Sequence, residues 1–222
     1  VLVGREAQDA GANDPENLVA GIKRHMGADH PLEFHGHRYT PEAISAVILR
    51  QLVADAGVQL GCAPAGIQCV ITVPAYCGVA EKEATFAAAR IAGVRCLELL
   101  AEPVAAAYAY GHSHDQGASL VFDLGGGTFD VAVVGVHQGR PRIWAVDGET
   151  QLGGLDWDRR LADLLWARLR IDGIDEDAEF DEEFAIRVNS AAELLKRALT
   201  GQASATARLR RQGKLLTVTI TR

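Results

Sequence analysis

Three consecutive glycines, Gly125 to Gly127, interrupt an apolar, β-branched stretch that runs from Ser119 to Val136. Asp123 precedes the glycines, and Thr128 and Asp130 follow them. Without Cβ atoms, successive backbone N–H groups can approach a phosphate closely, and a hydroxyl with two carboxylates can hold a hydrated divalent cation beside it. The pattern therefore predicts a strand, turn, strand unit that binds nucleotide phosphate, with an ordinary glycine-rich hairpin as the alternative.

The elements around this unit alternate between strand and helix, which predicts an α/β layer followed by a meander. The predicted α/β elements are a strand at Ile67–Val73, a helix at Glu81–Ala92, a strand at Val94–Leu100 and a short alanine-rich helix from Glu102 to Gly111. The predicted meander strands are Leu120–Leu124, Thr128–Val136 and Arg142–Val146. Crossover connections together with hairpin connections imply a mixed sheet.

Capping residues and apolar periodicity predict the remaining elements. The chain begins with VLVG, which we interpret as a strand end, and it looks cut from a longer protein. The further predictions are a helix capped by Asn13 or Asp14 that runs from Pro15 to about Gly27, a hairpin at Leu32–Tyr39, a helix at Pro41–Gly57 capped by Thr40, helices at Asp158–Leu169 and Asp181–Thr200 joined by an exposed acidic connection, and a hairpin of residues 203–211 and 214–221.

Composition excludes several classes of function. The formal net charge of −7 leaves no basic field for nucleic acid, and we interpret the cluster of Arg208, Arg210 and Arg211 as a solvated hairpin face. No apolar run approaches the roughly 20 residues that span a bilayer, so we expect a cytoplasmic protein that binds neither nucleic acid nor membrane.

The cysteines and histidines do not form a recognisable metal motif. We interpret the cysteines as reduced, buried small hydrophobic residues, with a disulfide or zinc site as the alternative, and the paired histidines as surface residues. The residues concerned are Cys62, Cys69, Cys77 and Cys96, and His35, His37, His112 and His114.

Four motifs, taken together, resemble the N-terminal ATPase domain of the Hsp70 (DnaK-type) chaperones. They are ITVPAY at Ile71–Tyr76, IAGV followed by LLAEPVAAAYAYG through Gly111, VFDLGGGTFD at Val121–Asp130, and GETQLGGLDWDRRL at Gly148–Leu161. The resemblance implies the actin, hexokinase and Hsp70 fold, an α/β fold of two lobes with mixed sheets flanked by helices around a nucleotide cleft. It places most of the first lobe, without its N-terminal phosphate-loop strands, in residues 1–112 and part of the second lobe in residues 113–222.

The same resemblance implies roles for individual residues. Lys23 matches the catalytic lysine of the family, although by its spacing alone it reads as a surface lysine. Glu102 matches a catalytic glutamate near the metal, although it could simply place charge at a helix N-terminus. Asp123 and Thr128 join the catalytic set, and Asp123, Asp130 and Glu102 approach Mg²⁺ largely through water. The residues implied to bind ATP or ADP are Gly125, Gly126, Gly127, Thr128, Gly153, Gly154, Glu193, Lys196, Arg197 and Thr200.

The sequence also departs from the family pattern. Pro74 matches the interlobe switch proline, but Lys82 replaces the arginine that follows it, and a lysine cannot reproduce bidentate contacts. Cys77, Gly78 and Leu155 replace other usual residues, the loop between Gly27 and Thr40 is short, and the first phosphate loop is missing.

The resemblance implies a parent chaperone that hydrolyses ATP with Mg²⁺ to drive binding and release of unfolded client peptides through a missing C-terminal domain. It also implies a J-domain co-chaperone and a nucleotide-exchange factor as partners. Two alternatives remain: a sugar or acetate kinase of the same superfamily, and a fragment that cannot hydrolyse ATP by itself.

Overall fold

The computed structural model describes residues 1–11, 14–110 and 117–222. The described residues form the α-helices α1 Arg5–Gly11, α2 Pro41–Leu60, α3 Val79–Ala92, α4 Glu102–Ala109, α5 Gly154–Ile171 and α6 Glu182–Gly201. The strands are β1 Leu32–Phe34, β2 His37–Tyr39, β3 Gln68–Val73, β4 Arg95–Ala101, β5 Ala118–Leu124, β6 Phe129–His137, β7 Arg140–Glu149, β8 Ser204–Arg211 and β9 Lys214–Thr221. Short 3-10 helices occur at Pro15–Asn17, Ile22–His25, Pro64–Gly66 and Glu176–Phe180.

The chain divides into two compact units. Unit 1 comprises Val1–Gly4 and Val19–Leu152, and unit 2 comprises Arg5–Leu18 and Gly153–Arg222.

Unit 1 contains a parallel pair of strands and an antiparallel meander. β3 pairs in parallel with β4 through the crossover helix α3, and β5, β6 and β7 pair antiparallel in that order. Gly139, with φ of 73°, closes the β6–β7 turn, where the left-handed backbone favours glycine. The prediction of one mixed sheet is wrong for the described residues, because the parallel pair and the meander belong to separate hydrogen-bonded ladders.

Most predicted elements of unit 1 are present within a few residues of their predicted ends. Thr40 caps α2 by accepting the Ala43 N–H at 3.3 Å, and α2 ends at Leu60, three residues later than predicted, with Gly61 at φ of 65° as its C-cap. The hairpin of β1 and β2 is confirmed, and His35 and His37 are exposed. His112, His114 and the predicted end of α4 at Gly111 lie outside the described residues.

The N-terminal predictions are wrong. Val1 to Val3 adopt no strand, and the predicted helix after Pro15 is two separate 3-10 helices. Gly21 interrupts the helix because its φ of 67° is left-handed, and Ile22–His25 therefore starts as a new turn. The predicted cap Asn13 lies outside the described residues.

Helix α2 is long and apolar enough to cross a membrane by length and composition, contrary to the sequence-based expectation. This is weak evidence for a membrane span, because helices of soluble proteins pass the same criterion. α2 also carries Arg50 and Asp55 and packs along α3, as expected for a helix of an α/β layer.

Unit 2 packs α5 and α6 against the hairpin of β8 and β9. Leu165, Phe184 and Val188 are fully buried at the centre of this core, and the Trp166 ring meets Phe184 edge-on with centroids 5.5 Å apart. The amphipathic spacing of the two helices therefore places one apolar stripe of each against the sheet, as the sequence predicts.

Arg211 corrects the interpretation of the arginine cluster as a solvated face. Its side chain is 9% exposed, contacts both carboxylate oxygens of Asp175 at 2.8 and 2.9 Å, and lies over the Phe184 ring. The Phe184 backbone N–H and the Arg211 guanidinium keep the pKa of Asp181 below its ordinary value. Arg211 therefore ties the acidic connection to the start of α6.

Candidate functional site

The side chains implied to act on phosphate converge in unit 1, where four segments meet. These segments are the 3-10 helix Ile22–His25, the residues after β3, the start of α4 and the β5–β6 hairpin. Parallel strands end at the same edge of a sheet, so β3 and β4 deliver Pro74 and Glu102 to neighbouring positions. Pro74 is buried there.

Lys23 and Glu102 form an ion pair across 79 residues of sequence. Lys23 Nζ donates to Glu102 Oε1 at 2.8 Å. The lysine side chain is 57% exposed and the glutamate 20% exposed, so the pair adds little stability and leaves the ammonium accessible. The geometry thus places the two implied catalytic residues side by side.

Arg24 is a site residue that the sequence interpretation missed. Its Nε donates to the carbonyl oxygen of Gly127 at 2.8 Å, so the helix that carries Lys23 also holds the third glycine of the turn. In the sequence, Arg24 is notable only because it follows another cationic residue, Lys23. That adjacency does not predict a contact with the glycine turn.

The glycine turn is open at its centre. Gly125 N–H donates to Thr128 O at 3.0 Å and closes the hairpin. None of the three glycines has a left-handed φ, and a Cβ added at Gly126 would meet no atom within 4 Å. Neither backbone conformation nor crowding by the protein therefore requires glycine at 126.

Asp130 is buried without a hydrogen-bond donor. It is 3% exposed, and neither carboxylate oxygen has a hydrogen-bond partner; the Thr128 hydroxyl lies nearby without a well-formed bond. Burial raises the pKa of Asp130, and the negative charges of Glu102 and Asp123 raise it further. Asp123 is the register partner of Asp130 on β5 and is exposed, so the two carboxylates meet different environments.

Tyr76 and Cys77 complete the surroundings of Asp130 and Glu102. The Tyr76 hydroxyl is buried without a partner, and burial raises the pKa of Tyr76. Burial also raises the pKa of Cys77, and the Glu81 charge adds to this effect, while nearby Lys23 opposes it. The replacement at Cys77 therefore lies beside the site.

Unit 2 carries the residues implied to bind the nucleoside. Lys196 Nζ donates to Gly154 O at 3.0 Å and to Asp158 Oδ2 at 2.8 Å, so it holds the first turn of α5. Arg197 and Glu193 form an exposed i,i+4 pair at 2.5 Å on α6. The Thr200 hydroxyl donates to Lys196 O, as expected within a helix.

A family model described as Hsp70 protein matches residues 30–222. The chain belongs to the Hsp70 family. This match confirms the resemblance and supports the assignment of the chain to the nucleotide-binding domain of an Hsp70 chaperone, and it favours that assignment over a sugar or acetate kinase. The α/β architecture with several small sheets agrees with the Hsp70 fold.

The match to Hsp70 does not include Lys23, which lies before residue 30. The role of Lys23 therefore depends on the resemblance described above and on its contact with Glu102. The roles implied for the other site residues remain predictions.

Proposed function

We propose that the parent Hsp70 protein hydrolyses ATP with Mg²⁺, and that unit 1 of this chain binds the phosphates at the glycine turn. The observation that carries the proposal is the open space at Gly126, where the protein itself gives no reason for glycine. A Cβ there would occupy space that a phosphate needs in order to reach the backbone N–H groups of the turn.

The carboxylates suit a hydrated magnesium ion. Asp130 has two buried oxygens without donors, and a water of the Mg²⁺ shell would supply the missing hydrogen bonds. The described residues contain no group of three potential ligands that could hold a metal directly. Contact through water, with Asp123 and Glu102 nearby, is therefore the arrangement that fits.

Magnesium, when bound with ATP, neutralises phosphate charge and polarises the terminal phosphoryl group. Lys23 contributes a further exposed positive charge, oriented by Glu102, for the charge that develops during transfer. Arg24 fixes the Gly127 carbonyl and so orients the turn before the substrate arrives. Thr128 and Asp130 lie beside the turn to orient the attacking water or the metal's water shell.

The remaining roles belong to the same proposal. Lobe closure around the nucleotide, adenosine binding by Glu193, Lys196, Arg197 and Thr200, the switch role of Pro74, and coupling to client peptides and co-chaperones are supported by family membership alone. A cytoplasmic location is likewise proposed from the composition.

Single-turnover hydrolysis of ATP by the full-length Hsp70 protein tests the proposal. Lys23→Ala should bind ATP nearly as well as the wild type and slow hydrolysis by about 100-fold or more, the scale of losing one charge that stabilises a transition state. Lys214→Ala, which removes an exposed lysine at the start of β9, is the matched control and should leave both quantities unchanged. Unaltered hydrolysis by Lys23→Ala contradicts the assigned role.

A further inference from the structure

Two of the four cysteines face each other across the parallel strands of unit 1. Cys69 on β3 is the register partner of Cys96 on β4. Partners in adjacent strands project from the same face of a sheet, and both residues are partly buried. The exposed Cys62 and the site residue Cys77 lie elsewhere, and the exposure of Cys62 corrects the prediction that the cysteines are buried.

The two thiols are neighbours across the ladder. The Cys96 thiol donates to the Glu98 carbonyl at 3.3 Å. Burial raises the pKa of Cys69, and the neighbouring Cys96 raises it further, as expected for two sulfurs that approach each other. All four cysteines are free thiols in this structure.

The backbone geometry suits a covalent bond between Cys69 and Cys96. Adjacent strands lie about 4.8 Å apart, within the 4.4–6.8 Å range that disulfides span between Cα atoms. The ladder shifts register between Cys69 and Val70. Val70 pairs with Glu98, so the extra residue is Leu97 on β4, and the ladder does not constrain the backbone beside Cys96 as a regular one would.

We propose that Cys69 and Cys96 form a reversible disulfide when the protein meets a small-molecule disulfide such as oxidised glutathione. One cysteine thiolate attacks a sulfur of the oxidant, forms a mixed disulfide and releases one glutathione thiolate. The second cysteine thiolate then attacks the protein sulfur of the mixed disulfide and releases the second glutathione. The two thiols thereby lose two electrons and two protons, and the oxidant becomes two glutathione molecules.

The bond would join the two strands that lead into the functional site. Pro74 follows β3, and Glu102 follows β4. The disulfide encloses α3 within its loop and fixes the strands at the end opposite these residues. It therefore restricts the unfolded chain without removing any contact of the site described above.

Mass spectrometry after oxidation tests the proposal. A Cys62→Ser, Cys77→Ser background is needed because the tryptic peptide that ends at Lys82 otherwise carries three cysteines. The folded background protein is treated with excess oxidised glutathione, its remaining thiols are blocked with N-ethylmaleimide, and it is digested with trypsin without reduction. We expect one peptide that links Cys69 to Cys96, lost on treatment with dithiothreitol.

The melting temperature provides the second measurement. Oxidation should raise the melting temperature by roughly 5–10 °C, because the disulfide lowers the conformational entropy of the unfolded chain. Dithiothreitol should reverse the rise. A further Cys96→Ser change should abolish both the linked peptide and the rise. In wild-type protein unfolded in urea, the same oxidant should give mixed pairings of the four cysteines.

Two results overturn the proposal. One is that Cys69 and Cys96 do not link to each other, and are instead alkylated by maleimide or carry separate glutathione adducts, while Cys62 of the folded wild-type protein reacts with the oxidant. The other is a folded wild-type protein in which fragment-ion sequencing of the unreduced peptides finds either residue linked to Cys62 or Cys77 as often as the two are linked to each other.

Discussion

Replacing Asp130 by asparagine should stabilise the nucleotide-free protein. The wild-type carboxylate is 3% exposed and has no donor on either oxygen. Asparagine keeps the shape of the side chain and removes its charge, although the fold supplies no hydrogen-bond partner for its amide either. An unpaired buried charge costs more than an unpaired neutral group, so we expect a gain of about 1 kcal/mol in the free energy of unfolding at pH 7.

The gain should depend on pH. Because the folded-state pKa of Asp130 is raised, the folded protein takes up a proton at a higher pH than the unfolded chain. The wild type therefore gains stability as the pH falls through that raised pKa, and the gain is complete below the unfolded value of about 3.9. The difference between Asp130→Asn and wild type should disappear over the same range.

Urea denaturation at pH 7 and at stepwise lower pH measures both effects. Asp123→Asn is the matched control, because it makes the same change at the exposed register partner and should alter stability by about 0.5 kcal/mol or less. A variant that is less stable than wild type at pH 7 refutes the reasoning. A stabilisation that persists unchanged at low pH refutes the assignment of the effect to the carboxylate charge.

Three further predictions concern packing and the glycine turn. Gly148→Ala should destabilise the protein by about 1–3 kcal/mol in urea, since the new Cβ would lie 2.4 Å from the Phe129 carbonyl oxygen, whereas Gly66→Ala adds a Cβ in open space and should not. Leu165→Ala should cost about 2–5 kcal/mol by emptying the core of unit 2, and an equal loss in Leu164→Ala, whose side chain is 40% exposed, would contradict the proposed core. Arg24→Ala should speed hydrogen exchange of the turn amides, because it removes the bond to Gly127 O; unchanged exchange would contradict that constraint.

Local signals predicted most of the fold. Thr40 with Pro41, and Gly93, mark helix ends through chemistry that acts within a few residues, and the structure places helix ends there, whereas the predicted end of α2 at Gly57 lies inside the helix. The prediction of one mixed sheet, which is wrong for the described residues, had no such local signal behind it. Which strands share a ladder depends on contacts between distant segments, and the residue pattern of β3 does not specify them.

In the candidate site, too, local sequence signals predicted some features and contacts between distant residues determined the others. The glycine turn with Asp123 and Asp130 was recognisable because residue types and spacing carry its chemistry. Lys23 by its spacing alone reads as a surface lysine. The resemblance implies its catalytic role, and only the structure shows its contact with Glu102, 79 residues away. The contact of Arg24 with Gly127 and the unpaired oxygens of Asp130 could be found only in the structure, because both depend on which residues distant in sequence come together.

The affinity of a Gly126→Ala variant for ATP with Mg²⁺, measured in the full-length Hsp70 protein by calorimetry, tests the central claim most directly. The added Cβ meets no protein atom, so the melting temperature without nucleotide should stay within about 2 °C of wild type. The account predicts that affinity falls about tenfold or more, which corresponds to at least about 1.4 kcal/mol of lost phosphate contact. Wild-type affinity in a normally folded variant would contradict the account.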